Sequence, residues 1–149
     1  MYELTLSIHN LLRWLVLGAA LYAVFRSVTG WRGAEPWTPT AAGAGRVYVI
    51  LMDVQLLLGI LLYAMLSPIT RLAFSDFGAA MAQRELRFFA VEHLFLMVLA
   101  VAAAHMGKAL APRAATDPLR WRRATLWYGL SLLLMLAGMP WWRPMLRIG

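Results

Sequence analysis

The chain has 149 residues, of which 62% are hydrophobic and 14% charged, and its mean hydropathy is +0.66. A soluble domain is about half apolar and a quarter charged, so this composition indicates an integral membrane protein. The absence of cysteine excludes disulfides and thiolate metal sites. We attribute the net charge of +7 to arginines that flank apolar segments, and we expect no nucleic-acid partner.

Four apolar segments follow one another along the chain, separated by stretches rich in proline, glycine and charge. We interpret these segments as membrane spans, and helices are the form that such spans take in lipid. We place the helices at about residues 4–28, 47–66, 87–110 and 124–139. The sequence therefore predicts an all-α fold: an integral membrane four-helix bundle, up-down-up-down, with both termini on the same side. The whole chain, residues 1–149, would form a single transmembrane domain.

Charge along the chain suggests an orientation in the membrane. The basic loop over residues 113–123 is the densest positive cluster, so we expect it in the cytoplasm and both termini outside. No basic segment precedes the first apolar run, and Arg13 interrupts it, so we expect a retained helix rather than a cleaved signal peptide. These features predict a multi-pass protein of the bacterial inner membrane.

The first layer of polar residues lies near the predicted outer face. His9 and His93 are about five and six residues into helices that run in the same direction, so their imidazoles share one depth. Two histidines on separate helices can clamp a haem between them, which predicts one haem b with His9 and His93 as iron ligands. Arg13 lies one turn deeper on the same face as His9. Together with Arg84 and Arg87 at the outer mouth, it could pair with the haem propionates.

The same residues allow other interpretations. Histidines in membrane helices also serve simply to hydrogen-bond a neighbouring helix. Glu92, beside His93, could form an ion pair with Arg13 or orient an imidazole. A Glu and a His at one depth would also suit a metal other than iron, or a proton path.

A second polar layer is predicted near the cytoplasmic side. Asp53 is about six residues into the second helix and His105 about five residues from the end of the third, so they also meet in depth. The pair could be a structural tie between helices, a proton-transfer element for quinone chemistry, or part of a second haem site. That second site would need a methionine such as Met52, because the chain has only three histidines.

Short motifs in these helices add a resemblance. They are H-x-x-x-RW at residues 9–14, QLLLGILLY at 55–63, RFFAVEHLFLM at 87–97, AHMGK at 104–108 and MPW at 139–141. Together they resemble a family of small four-helix bacterial membrane proteins, common in Bacteroidota and their relatives, that is labelled cytochrome b. The resemblance implies haem binding with His9 and His93 as the ligands. It implies no particular electron donor or acceptor.

These features predict a b-type haem protein that exchanges electrons with quinol or a partner cytochrome, alone or as a subunit of a respiratory or photosynthetic complex. Two alternatives stay open. One is a haem-free accessory subunit that packs against other membrane subunits, and the other is a proton-conducting unit that uses Glu92, Asp53 and His105. No serine lies in a nucleophile elbow or triad setting, so we do not expect a hydrolase, whereas quinone-linked redox activity stays possible.

Overall fold

The computed structural model describes residues 1–143, which are mostly helical and contain no strand. The predicted all-α class is confirmed. The helices are α1 (Tyr2–Arg32), α2 (Gly43–Leu61), α3 (Pro68–Ser75), α4 (Phe77–Ala82), α5 (Arg84–Arg87), α6 (His93–Leu110) and α7 (Asp117–Ala137). Residues 144–149, which the predicted single domain includes, lie outside the described residues.

Two π-helical turns interrupt the regular helices. The first, Leu62–Leu66, extends α2, and the second, Phe88–Glu92, joins α5 to α6. The chain therefore stays helical over Gly43–Leu66, and over Arg84–Leu110. Turns of this kind are rare and frequently occur at functional sites, because they locally change the direction in which side chains point.

In the described part of the chain, three helical segments are long and apolar enough to cross a membrane: Tyr2–Arg32, Gly43–Leu66 and Arg84–Leu110. The predicted membrane character of the first three helices is thus supported by length and composition. Helix α7 is not among them, because its first two turns carry three arginines. Its arginine-free part, residues 124–137, rises only about 21 Å at 1.5 Å per residue, which is less than the hydrocarbon thickness of about 30 Å.

The long helices pack through small and medium-sized side chains. Helix α1 packs against α2 and α7, and α6 packs against the same two helices. Small residues at these contacts allow helix backbones to approach closely. The main core contains Val16, Ala20, Ala23, Tyr48, Val49, Met52, Ala100, Ala104, Ala124, Tyr128 and Met135.

A buried chain of hydrogen bonds links three helices in the middle of this core. Ser131 of α7 donates its Oγ proton to the Ala100 carbonyl of α6, at 2.6 Å. The hydroxyl of Tyr48 on α2 lies 2.6 Å from the same Oγ, and since that oxygen has already used its proton, Tyr48 is the donor. All three residues are inaccessible, so the chain satisfies polar groups that water cannot reach.

We expect Ser131→Ala to lower the free energy of unfolding by about 1–2 kcal/mol, because it leaves the Tyr48 hydroxyl buried without a partner. Ser27→Ala is the matched control. Ser27 is also buried, but it donates only to Ala23 within its own helix, at 2.7 Å, so its loss should cost clearly less. Denaturation by SDS in mixed micelles, followed by circular dichroism, measures both variants. Equal losses would contradict a special role for the hydrogen bonds between helices.

Candidate cofactor site

A cavity of about 340 Å³ lies where the first half of α1, the end of α2, the start of α6 and the end of α7 come together. Its volume is within the range of natural ligand pockets. Most of its wall is apolar. The polar and charged residues on the wall include His9, Arg13, Gln55, Tyr63, His93 and Arg143. The structure therefore brings the two histidines of the predicted outer layer to one cavity.

His9 is held against helix α2. The Nε2 of Gln55 donates to the His9 carbonyl at 3.0 Å, which ties the two helix backbones together. The imidazole lies so close to Gly59 that a Cβ there would be 3.3 Å from its Cε1 atom, so a larger residue would press on the ring. The Nδ1 atom of His9 is buried and has no hydrogen-bond partner among the described residues. A buried polar nitrogen of this kind has capacity for a ligand.

His93 is oriented by the backbone at the end of α7. Its Nδ1 lies 2.7 Å from the carbonyl oxygen of Gly138. A carbonyl only accepts, so Nδ1 carries the proton and Nε2 keeps its lone pair. Metal-binding histidines typically show this arrangement, in which one nitrogen donates to a fixed acceptor and the other binds the metal. The rings of Phe88 and Phe89, at 5.8 and 5.9 Å, pack beside the imidazole.

The two π-helical turns are joined to each other next to the cavity. Tyr63, in the first, donates its hydroxyl proton to the Ala90 carbonyl in the second, at 2.8 Å. Thr70 of α3 in turn donates to the Tyr63 carbonyl, also at 2.8 Å. Because His93 directly follows the second π-helical turn, this turn sets the direction of its side chain. These contacts fix the position of one of the two imidazoles.

Among residues 1–143, two arginines lie on the cavity wall, and only one of them was predicted there. Arg13 is near enough to interact electrostatically with both His9 and His93, and its guanidinium lies 5.4 Å from the ring of Trp14. The second, Arg143, forms an ion pair with Glu85 and lies over the ring of Phe89 at 4.5 Å. The cavity therefore has cationic groups that could face an anionic part of a ligand.

The other residues proposed for the outer layer lie away from the cavity. Arg87 donates through Nε to Glu92 at 2.7 Å and through Nη1 to the Met81 carbonyl at 3.2 Å. Arg84 lies over the ring of Trp142 at 4.8 Å. Glu92 is thus paired with Arg87, and the group that orients His93 is the Gly138 carbonyl. None of the three predicted residues is part of the cavity wall.

Asp53 and His105 meet, but on the outside of the helices. The Nε2 of His105 lies 2.7 Å from Oδ1 of Asp53, and neither residue lines the cavity. Met52, which neighbours Asp53 in sequence, does line the cavity that contains His9 and His93. The structure therefore does not bring Met52 and His105 to one site, as a second haem would require.

Sequence reasoning missed several groups of the cavity. The Gly138 carbonyl is a backbone group, so no residue type in the sequence indicates its role, although the MPW motif begins at the next residue. Arg143 was visible only as one charge near the end of the chain. The wall also carries thioethers beside the imidazoles, of which sequence reasoning considered only Met52: Met52, Met97, Met135 and Met139.

Within residues 1–143 there is no group of three or more His, Asp or Glu side chains that could hold a metal ion. A metal here would rely on the two imidazoles, with thioethers as the further donors available. Imidazole and thioether are the ligand types that haem iron takes in cytochromes. The donor set is thus compatible with haem rather than with a metal held by carboxylates.

The chain matches no protein-family model, no curated protein and no solved structure. The likeness to membrane proteins labelled cytochrome b therefore depends on the motifs alone.

Proposed function

We propose that this chain is a b-type haem protein of the bacterial inner membrane that transfers electrons between quinol, or a partner cytochrome, and a further acceptor. The observation that carries the proposal is the shared cavity of His9 and His93. These imidazoles come from different helices, one fixed by the Gly138 carbonyl and the other with a buried nitrogen that has no described partner.

The cavity suits a haem in its chemistry. His9 and His93 would hold the iron, and Arg13 and Arg143 on the wall would face the propionates, which prefer guanidinium partners. The remaining wall is largely apolar, as a porphyrin ring requires. A bound haem would supply one-electron redox chemistry. The chain's own contribution is to orient the His93 imidazole through the Gly138 carbonyl and to hold the backbone of His9 against α2 through Gln55.

The membrane arrangement that best supports this role is a four-helix bundle with α7 as the fourth helix, whose first turns would place their arginines at the membrane interface. The end of α7 reaches the cavity at the start of α1. Its beginning meets the end of α1, where Gly30 lies against the Trp121 ring, and Trp121 donates to the Glu35 carbonyl of the following linker at 2.8 Å. These contacts favour an up-down-up-down order with both termini on one side. With the basic loop between α6 and α7 in the cytoplasm, the cavity would lie in the outer half of the membrane.

Electron exchange would then take place toward the outer face. The cavity wall extends to Ser67 and Thr70 at the beginning of α3, which follows the membrane span of α2. A quinol head group or a docked cytochrome could approach the proposed haem from this side. This is compatible with a role as an electron-transfer subunit of a respiratory or photosynthetic complex.

The visible spectrum of the protein purified from its native membrane tests the proposal. We expect a reduced-minus-oxidised spectrum of the b type, with about one haem per chain by the pyridine haemochrome assay. A colourless protein that is stable only with partner subunits would instead support a haem-free accessory role. Adding hemin to that colourless protein distinguishes a lost cofactor, which restores the spectrum, from a site that does not bind haem.

A further inference from the structure

The Asp53–His105 pair occupies an unusual position for a polar pair within membrane spans. Asp53 lies ten residues after Gly43 in the span Gly43–Leu66, and His105 lies five residues before the end of Arg84–Leu110. Their side chains are nevertheless 43% and 47% exposed. Ionisable residues in spans usually face the interior of a bundle or a water-filled cavity, because exposure to lipid is costly. The exposed side of this pair therefore needs a polar neighbour.

The surface around the pair is apolar toward the middle of the membrane, whereas Lys108, one turn beyond His105, is exposed toward the end of α6. Along α2, the exposed neighbours one turn away from Asp53 are Ile50 and Leu57, and the next residue, Val54, is exposed as well. Along α6, the exposed neighbours toward the middle of the span are Val98 and the small Ala102. A small residue beside a polar pair suits close helix contact, since transmembrane helices associate through small side chains and hydrogen bonds across the interface.

We propose that this face of α2 and α6 is the interface of a symmetric dimer, in which the Asp53–His105 pairs of two copies meet around the two-fold axis. Asp53 is on α2 and His105 is on α6 at the same depth. The line from the carboxylate to the imidazole therefore runs along the protein surface, parallel to the membrane plane. A two-fold rotation about the membrane normal reverses that direction. The carboxylate of each copy then faces the imidazole of the other.

The pair has unused hydrogen-bonding capacity for this contact. Within one copy, His105 Nε2 donates to Asp53 Oδ1. The described residues show no bond to Oδ2 of Asp53 or to Nδ1 of His105. In the dimer, a protonated Nδ1 of each copy donates to Oδ2 of the other, which closes a ring of four side chains. A second copy is thus a self-complementary partner, whereas lipid offers the pair no hydrogen bond in the hydrocarbon region.

Energy transfer between labelled copies in liposomes tests the dimer. The chain lacks cysteine, so Ala115→Cys, in the exposed loop before α7, provides a single labelling site. We expect transfer between donor- and acceptor-labelled copies to persist above the random level as lipid is added. Asp53→His and His105→Asp should each weaken self-association on the order of tenfold, because like groups then face one another across the axis.

Mixing the two variants provides the sharper test. The Asp53→His chain presents two imidazoles, and the His105→Asp chain presents two carboxylates. In a mixed dimer each imidazole therefore faces a carboxylate again. Energy transfer between the two variants, each carrying a different label, should return. As matched controls, Leu57→Trp on the proposed interface should reduce transfer, while Leu133→Trp on α7 should not. Both leucines are 66% exposed.

Random-level transfer for the unmodified chain would overturn the proposal and would point to lipid or to a different subunit on this face. Self-association of the single variants equal to that of the unmodified chain would overturn it as well, and so would a mixture that fails to restore transfer. The haem content is measured on the same samples. Since neither Asp53 nor His105 lines the cavity, loss of the dimer and loss of the proposed cofactor are distinguishable.

Discussion

His93→Ala is expected to reduce the haem bound per chain by more than about tenfold. The substitution removes the Nε2 atom that is free to bind iron, together with the Nδ1–H that Gly138 holds in place. Loss of a residue that only hydrogen-bonds a metal ligand typically lowers the metal affinity 10- to 100-fold, so loss of the ligand itself should lower it at least as much. The pyridine haemochrome assay on the purified variant measures the effect.

His105→Ala is the matched control for this experiment. It is the same substitution on the same helix, but His105 lies outside the cavity, so the haem content should stay near that of the unmodified chain. His9→Ala should behave like His93→Ala, since both residues line the cavity. Free imidazole added to either cavity variant can enter the space left by the ring, and we expect it to restore part of the bound haem.

Unchanged haem content and an unchanged Soret band in His93→Ala would contradict the proposed ligation. If His93→Ala lost haem and His9→Ala did not, the partner of His93 would have to be another donor on the wall, such as Met52 or Met135. The two variants together therefore identify the ligand pair as well as test it.

Counting residues along helices predicted which polar groups would meet. A constant rise of 1.5 Å per residue placed His9 level with His93, and Asp53 level with His105. In the structure the first two line one cavity and the second two are hydrogen-bonded. Depth is predictable in this way because membrane spans are continuous helices. The rotation of each helix about its axis was not predicted, and it determines that one pair faces inward and the other outward.

The pairing of Arg87 with Glu92 shows why such counting has limits. On a regular α-helix, two residues five positions apart point in directions that differ by about 140°, so their side chains do not meet. The intervening residues form a π-helical turn, in which positions five apart are hydrogen-bonded neighbours. Nothing in the sequence marked that turn. It directed Arg87 toward Glu92 rather than toward the cavity, and the Gly138 carbonyl, a backbone group, orients His93 instead.

Trp121 packs where the end of α1, the following linker and the start of α7 meet. This junction lies at the opposite end of α1 and α7 from the cavity. It is 1% exposed. Its Nε1–H donates to the Glu35 carbonyl at 2.8 Å, and its ring meets that of Trp37 edge-on at 4.5 Å. Gly30 allows α1 to approach this ring so closely that a Cβ at that position would lie 2.5 Å from Cε2.

Trp121→Ala should therefore lower the free energy of unfolding by about 3–5 kcal/mol, as expected when a buried tryptophan leaves a cavity behind. Trp121→Phe should lose less, because it keeps an aromatic ring against Trp37 and gives up mainly the hydrogen bond to Glu35. Trp31→Ala is the control, since Trp31 is 41% exposed on the last turns of α1 and should cost far less. SDS titration followed by circular dichroism gives the three values without relying on tryptophan fluorescence.

A loss for Trp121→Ala no larger than that for Trp31→Ala would show that this junction does not stabilise the fold. Because Trp121 does not line the cavity, the molecules of this variant that do fold should keep their haem content, which separates a defect in folding from a defect in ligation.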